Sequence, residues 1–158
     1  MQAAAQKQSL MHSTFSVKRI YPASPARVFA AFANPETKRR WFVEGEGWEI
    51  DEFSMDFRIG GREFSRFRFQ GGEPTSNETI YLDIVPDQRI VFTFTMLSGH
   101  RHISISLATV EFTPAGKGTQ LFYTEQGVFF DVTDKLANRK AGTRELLDKL
   151  GEELDNNG

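Results

Sequence analysis

The segment from Arg139 to Leu154 has the clearest helical period in the chain. On a helix, five of its residues fall in one stripe about 100° wide, the usual width of a core-facing surface. These residues are Thr143, Leu146, Leu147, Leu150 and Leu154. A single amphipathic helix must bury its stripe against another element, and the preceding residues read almost entirely as strands. We therefore predict one long C-terminal helix that lies on a curved antiparallel sheet.

Strand patterns occupy most of the chain before this helix, and turn residues separate them. The predicted strands span residues 14–21, 48–57, 62–70, 78–85, 90–97, 102–113 and 119–129. In the second half of the chain, turns such as Pro86–Arg89 recur about every 10–14 residues, with no helical pattern between them. This spacing predicts a meander of sequential antiparallel hairpins.

Two short helices are predicted between the first and second strands. Ser24 is a suitable N-cap for a helix that begins at Pro25, and Asn34 repeats this signal before Pro35. We expect the second helix to end at Trp41. The predicted fold class is therefore α+β, a curved antiparallel sheet of about six to seven strands around a long C-terminal helix, with two short helices after the first strand.

The 158 residues contain no internal repeat and no linker, and we expect one domain over residues 13–156. Residues 1–12 lack the apolar run of a signal peptide, so we expect a disordered N-terminal tail. No segment approaches the ~20 apolar residues of a membrane span. The chain has no cysteine, which rules out disulfides and cysteine-based zinc sites and fits a cytoplasmic protein.

Phenylalanine is the distinctive residue of the composition, with 15 Phe against three Tyr and two Trp. Phe brings a large apolar area without a polar group, so this number implies a thick core, an apolar cavity, or both. The net charge is −2 and no basic stripe is present, so nucleic acid is not an expected partner. We also expect no cofactor.

Two groups of polar residues have alternative interpretations. His100 and His102 would share one face of a strand, as metal ligands can, but a surface hairpin turn explains them without a metal, and we assign no metal site. Arg62, Arg66 and Arg68 could present a guanidinium to an anionic ligand. The alternative is an edge strand that its charges protect from pairing with other chains.

Glu125 and the two tryptophans also have two interpretations each. Glu125 follows Leu121 and Tyr123 on one face of the last strand, and an inward carboxylate would be a candidate acid or base. Alternatively, it faces solvent or pairs with a cross-strand arginine. Trp41 and Trp48 flank a glycine-containing loop, where they could form a cavity mouth that stacks a ring or could attach the small helices to the sheet.

A series of segments resembles the START-like, SRPBCC superfamily, and within it the group that resembles activators of the heat-shock-protein-90 ATPase. The segments that carry the resemblance are Pro25–Phe29, Asn34–Glu36 with Trp41, Phe57–Gly61, Tyr81–Pro86 with Arg89–Val91, Val110–Phe112 with the Gly118-Thr119 turn, and Thr124–Gln126. The resemblance implies a helix-grip fold. It also implies ligand binding, polyketide cyclase or aromatase activity, or a co-chaperone-like role in the stress response, since all of these occur on such folds. A Gly-Trp pair common in this group is replaced by Ala141-Gly142-Thr143, so one large side chain is missing from the cavity.

From the helix, the sheet and this resemblance, we predict a cavity that binds a small hydrophobic or amphipathic molecule. Arg66, Tyr81 and Glu125 are candidates to orient it. The predicted cavity residues are Phe32, Trp41, Trp48, Phe64, Arg66, Tyr81, Phe92, Phe94, Ile105, Phe122, Glu125, Thr143, Leu146, Leu147 and Leu150. We assign no catalytic residue, and we expect a monomer or a homodimer.

Two alternatives to a ligand carrier stay open. A cyclase-type enzyme would need an acid-base pair facing the cavity, with Glu125 as one member. A co-chaperone-like module would instead bind a protein partner through an exposed apolar patch, and its cavity would be collapsed.

Overall fold

The computed structural model describes residues 10–130 and 135–157. Its elements are β1 (Leu10–Tyr21), α1 (Pro25–Ala33), α2 (Pro35–Phe42), β2 (Trp48–Met55), β3 (Arg62–Phe69), β4 (Thr75–Val85), β5 (Arg89–Ser98), β6 (Arg101–Ala115), β7 (Gly118–Phe130) and α3 (Lys135–Asn156). The strands form one antiparallel sheet in the order β1-β7-β6-β5-β4-β3-β2. The predicted fold class is confirmed. None of the described helices is long and apolar enough to cross a membrane.

The first strand begins earlier than its alternating pattern predicted. β1 starts at Leu10 and pairs with β7 in continuous register from Leu10 opposite Phe130 to Tyr21 opposite Thr119. Residues 10–12, which we had assigned to the tail, therefore belong to this strand because β7 offers a partner along their whole length. Residues 1–9, the remainder of the predicted tail, lie outside the described residues.

The two short helices begin at the predicted caps. The Ser24 hydroxyl accepts a hydrogen bond from the Arg27 amide at 3.3 Å. The Asn34 Oδ1 accepts from the amides of Glu36 and Thr37 at 3.0 and 3.2 Å. These acceptors satisfy amides that have no partner within the helix. The local cap signals therefore set the residues at which both helices begin.

The connection between β2 and β3 depends on glycine. A Cβ atom on Gly61 would lie 2.0 Å from the Asp56 carbonyl oxygen, which no side chain tolerates. This close approach lets Gly60 and Gly61 exchange backbone hydrogen bonds with Tyr81 at 2.7 and 3.1 Å. The turn therefore extends the pairing of β3 with β4 and positions Tyr81 on the inner face of the sheet.

Four of the five residues in the predicted stripe of α3 are buried and Leu146 is partly buried, and the C-terminal half of the stripe belongs to the main core. Leu147, Leu150 and Leu154 pack with α1 residues such as Val28 and with Tyr21. The Tyr21 hydroxyl also donates to the Leu147 carbonyl at 2.6 Å. α3 packs mainly against β1, α1 and α2. The N-terminal half of the helix consequently spans the central strands without filling the space above them.

Candidate functional site

A cavity of about 390 Å³ lies between the inner face of the sheet, α2 and the N-terminal half of α3. Nine aromatic side chains contribute to its wall: Phe32, Trp41, Phe42, Trp48, Phe67, Tyr81, Phe92, Phe94 and Tyr123. This volume and this predominance of aromatic rings are typical of sites for small organic molecules.

The space exists because small residues face the N-terminal half of α3. On β6 the inward residues change along the strand from Ser104, Ser106 and Ala108 to the larger Val110 and Phe112. The larger residues pack below the C-terminal half of the helix, whereas the smaller ones lie below its start. On the helix itself, a Cβ atom at Gly142 would meet no atom within 4 Å. Both walls thus recede at the same end of the molecule.

One side of the cavity carries a buried ion pair between α2 and β3. The Lys38 ammonium lies 3.1 Å from the Glu63 carboxylate, and both side chains are buried. The same carboxylate accepts a hydrogen bond from the Tyr81 hydroxyl. Burial, and then the neighbouring charge of Glu63, raises the pKa of Tyr81. The Lys38 ammonium also lies 4.5 Å from the centre of the Phe42 ring, which adds a favourable cation–π contact.

The opposite side carries a second buried ion pair, between β7 and α3. Glu125 is 1% exposed, and its carboxylate accepts hydrogen bonds from Arg139 at 2.8 Å and from Tyr123 at 2.7 Å. Ser106 donates a third at 3.2 Å, and Arg139 also donates to the Ser104 hydroxyl at 2.7 Å. Burial, followed by the charge of Glu125, raises the pKa of Tyr123 well above its ordinary value.

The register of the sheet connects these two polar groups across an apolar floor. Tyr81 is paired with Phe92, Phe92 with Ala108, and Ala108 with Glu125. The two polar side chains therefore stand at opposite ends of one row that crosses four strands. Phe92 lies between them, so the centre of the floor is aromatic and its two ends are polar.

The mouth of the cavity lies beside Trp48, at the start of β2. This tryptophan is 44% exposed, and its ring packs against Phe67 and Phe69 at centroid distances of 5.5 and 5.0 Å. Near this tryptophan, on the other side of Gly45, Lys149 donates a hydrogen bond to the Glu44 carbonyl. Partial burial lowers the pKa of Lys149 despite the opposing charges of Glu152 and Glu44. Trp48 therefore lies at the mouth, one of the two roles predicted for it.

Ten of the residues predicted from the sequence line this cavity. They are Phe32, Trp41, Trp48, Tyr81, Phe92, Phe94, Glu125, Thr143, Leu146 and Leu147. Trp41 combines this position with a structural contact, because its indole N–H donates to the Ala31 carbonyl at 2.9 Å and attaches α2 to α1. Glu125 points inward, and its arginine partner comes from the helix rather than from a neighbouring strand.

Five predicted residues lie elsewhere. Phe64 and Arg66 are on the outer face of β3, because Glu63 and Phe67 occupy its inward positions. Ile105 and Phe122 are 42% and 36% exposed on the outer faces of β6 and β7. Leu150 is fully buried in the core beyond the end of the cavity. For the four strand residues, the opposite face of the strand turns inward.

The arginines of β3 make cross-strand ion pairs on the outer surface. Arg62 pairs with Glu78 of β4 at 3.1 Å, and Arg68 pairs with Asp51 of β2 at 2.7 Å. Arg66 similarly lies 3.3 Å from Glu52. β3 is an inner strand of the sheet and not an edge strand, so neither interpretation of these arginines describes their position.

The histidine pair lies at the β5–β6 hairpin, where His100 occupies the turn and His102 is exposed at the start of β6. The His102 ring packs near Phe130, with 5.6 Å between their centroids. Within residues 10–130 and 135–157, no three His, Asp or Glu side chains lie close enough together to bind a metal ion.

Several lining residues were not predicted, among them Lys38, Glu63, Asn77, Tyr123 and Arg139. A signal for Glu63 and Tyr123 was present, because each lies an even number of residues from an inward residue of its own strand, Phe67 and Glu125 respectively, and so shares its face. Lys38 and Arg139 lie on helices, at positions that read as solvent-facing charge. They are buried only because each has a carboxylate opposite it on the sheet.

Comparisons with known proteins agree with this architecture. The family model described as Activator of Hsp90 ATPase homolog 1-like protein matches residues 22–155. The Mll3558 protein from Rhizobium loti is 54% identical, with a TM-score of 0.85 over 92% of this chain and 99% of that chain. A putative uncharacterized protein from Rhizobium leguminosarum is 36% identical, with a TM-score of 0.91 over 96% and 99% of the two chains.

A more distant structure shares the fold alone. CalU16 from Micromonospora echinospora is 20% identical, with a TM-score of 0.64 over 94% of this chain and 85% of that chain. The comparison with curated proteins gives no match. Because the family model spans nearly the whole domain, the chain belongs to the family of Activator of Hsp90 ATPase homolog 1-like proteins, with a START-like, helix-grip fold.

Proposed function

We propose that this protein binds a small hydrophobic or amphipathic molecule in the cavity beneath α3. The observation that carries the proposal is the aromatic cavity of about 390 Å³ between the sheet and the helix. Close packing is the rule in protein interiors, and an open space of this size lowers stability unless a ligand fills it. Burial of an apolar molecule against the aromatic wall would supply most of the binding free energy.

The buried polar groups support binding over catalysis. Glu125 is the candidate acid or base, but its oxygens accept from Arg139, Tyr123 and Ser106. A carboxylate held in this way is occupied with the protein's own donors. The acid-base pair that a cyclase-type enzyme needs is therefore not supported by the geometry around Glu125.

The test compares two substitutions on adjacent residues of α3. Gly142→Phe would direct a ring into the cavity, where a Cβ atom meets no neighbour within 4 Å. Ala141→Phe is the matched control, because Ala141 is exposed on the same turn. The neutral fluorescent probe N-phenylnaphthylamine reports binding through its emission.

We expect the native protein and Ala141→Phe to bind the probe alike, and Gly142→Phe to bind at least ~10-fold more weakly, equivalent to ~1.4 kcal/mol. Equal binding by all three proteins would place the probe outside the cavity and contradict the proposal. A native mass spectrum of protein purified from its host provides a second measurement, in which a co-purified small molecule is the expected result.

A further inference from the structure

We propose that this protein forms a homodimer in which the β1 strands of two copies pair antiparallel and join the two sheets into one. The inference goes beyond the proposed function, because β1 is the edge of the sheet opposite β2, and β2 begins at the mouth of the cavity. Three observations carry it: the regularity of the β1 edge, the exposed apolar side chains on it, and the match of this strand to a second copy of itself.

The two edges of the sheet are built differently. β2 is eight residues long, its pairing with β3 shifts between Ile50 and Glu52, and it carries further carboxylates at Glu49 and Asp51. Bulges and charges of this kind protect an edge strand from pairing with another chain. β1 is twelve residues long, contains no proline and pairs with β7 in one unbroken register. Among the described residues, the other side of β1 has no strand partner, so it presents a long, regular row of backbone donors and acceptors.

β1 also exposes large apolar side chains. Leu10, Met11 and Ile20 are 55%, 40% and 64% exposed, and they lie at the two ends of the strand. Apolar side chains on an open edge favour association, whereas protected edge strands usually carry charges. An antiparallel copy of β1 brings one end of the strand to the other, so each apolar end meets an apolar partner.

An antiparallel register centred on Phe15 makes β1 complementary to itself. It places Leu10 opposite Ile20 of the second copy, and both side chains lie on the outer face of the joined sheet. The twofold axis forms this apolar pair twice, once at each end of the contact. Pairing of residues 10 to 20 along their length gives about ten backbone hydrogen bonds, which is the number found in a typical interface.

The same register keeps like charges apart. Arg19 faces Met11 of the second copy, and Lys18 faces His12, so no two lysines or arginines are opposed. Directly opposed like charges disfavour the pairing of strands. The alternative partner, an acidic peptide, would gain little from Arg19, because this side chain already pairs with Asp148 of its own chain at 2.9 Å. The second copy is therefore the occupant that this edge fits.

Two double variants test the dimer and its register together. In the proposed register, Thr14 faces Ser16 of the second copy on the outer face of the sheet. Thr14→Glu/Ser16→Glu would oppose two carboxylates at both symmetry-related positions. Thr14→Lys/Ser16→Glu is the matched control, because it would oppose a cation and a carboxylate at the same positions. Within one chain, the two variants differ only in the charge at residue 14.

Sedimentation equilibrium measures the association of the native protein and of both variants, and circular dichroism verifies that each is folded. We expect the native protein to approach twice its 18.0 kDa mass above about 100 μM, since the contact is smaller than a standard interface. The Thr14→Lys/Ser16→Glu dimer should be ~10–30-fold tighter than the Thr14→Glu/Ser16→Glu dimer, as two cross-strand charge pairs imply.

A second experiment uses the absence of cysteine from the chain. Thr14→Cys and Ser16→Cys are prepared as separate proteins, mixed and oxidised. Directly opposite residues on antiparallel strands have Cα atoms about 4.5–5.5 Å apart, which a disulfide can span, whereas diagonal neighbours are about 7–8 Å apart. We expect the mixture to form disulfide-linked dimers, and each variant alone to form at least ~10-fold fewer. Each protein carries one substitution, so this result stands even if a double variant fails to fold.

Three results would overturn the inference. A native protein that keeps its 18.0 kDa mass at ~1 mM would form no dimer of this kind. Equal association of the two double variants would mean that the copies meet through another surface. A mixture that forms no more linked dimers than either single variant would exclude the register centred on Phe15. Ligand binding in the cavity is measured separately, so the proposed function stands or fails independently of these results.

Discussion

The Arg139 guanidinium and the Glu125 carboxylate are 2.8 Å apart, and their contact joins the N-terminal half of α3 to the inner face of β7. The pair spans one wall of the cavity. Arg139 also lies over the Phe94 and Phe129 rings, 5.6 and 4.9 Å from their centres. The contact therefore attaches the N-terminal half of α3 to the sheet, in the part of the helix that borders the cavity.

Removing one member of this pair should be costly. Arg139→Met leaves the Glu125 carboxylate buried without its cation and should lower the free energy of unfolding by about 3–5 kcal/mol. Adding Glu125→Gln removes the unpaired charge and should recover part of this loss. The measurement is urea denaturation of the native protein, both single variants and the double variant. Additive losses would show that the two side chains are not coupled and would contradict the assigned contact.

Two phenylalanines on the sheet should respond differently to truncation. Phe94 is buried on the inner face of β5, so Phe94→Ala should destabilise the protein by about 3 kcal/mol, the lower end of the range for buried Phe because the ring borders an open space. Phe122 is on the outer face of β7 and only part of its ring is exposed, so Phe122→Ala should cost less, about 1 kcal/mol. Thermal or urea unfolding measures both variants. A larger loss of stability for Phe122→Ala than for Phe94→Ala would contradict the assignment of Phe122 to the outer face of β7.

The tyrosines should resist titration while the protein is folded. The chain has three, and burial raises the pKa of Tyr21, Tyr81 and Tyr123 above the ordinary value of 10.0. Because the folded state keeps protons that the unfolded state would lose, stability should fall as the pH rises above about 10. Tyrosinate absorbance and circular dichroism should therefore change together in one alkaline transition. Tyrosinate that forms near pH 10 with an unchanged circular dichroism spectrum would contradict this prediction.

Local signals in the sequence predicted the order and type of the elements. The Ser24-Pro25 and Asn34-Pro35 caps specify helix starts through contacts within a few residues, and the structure contains both. The stripe of α3 and the recurring turns are likewise short-range patterns. Strand ends were less accurate, as at Leu10, because pairing with a distant strand extends a segment beyond its own alternation.

The inward face of each strand could not be read with the same certainty. On β6, one face carries Ile103, Ile105 and Leu107 and the other Ser104, Ser106 and Ala108, so hydrophobicity alone favours the wrong face for the cavity. The apolar face is turned outward because β6 keeps one register with β5 from Ser104 to Glu111 and with β7 from Ser104 to Ala115, which fixes the face of every side chain in this stretch. Val110 and Phe112, further along β6, belong to the buried face and would have indicated it.

The sequence by itself thus determined a long helix, two capped short helices and a meander of sequential hairpins, which the structure shows over β2 to β7, because periodicity, caps and turns act over a few residues. Only the tertiary structure decided which side chains meet. Lys38 reaches Glu63 across 25 residues of chain and Arg139 reaches Glu125 across 14. Whether a charged residue on a helix is solvated or buried depends on the carboxylate that the fold places opposite it. The cavity has its polar ends for the same reason.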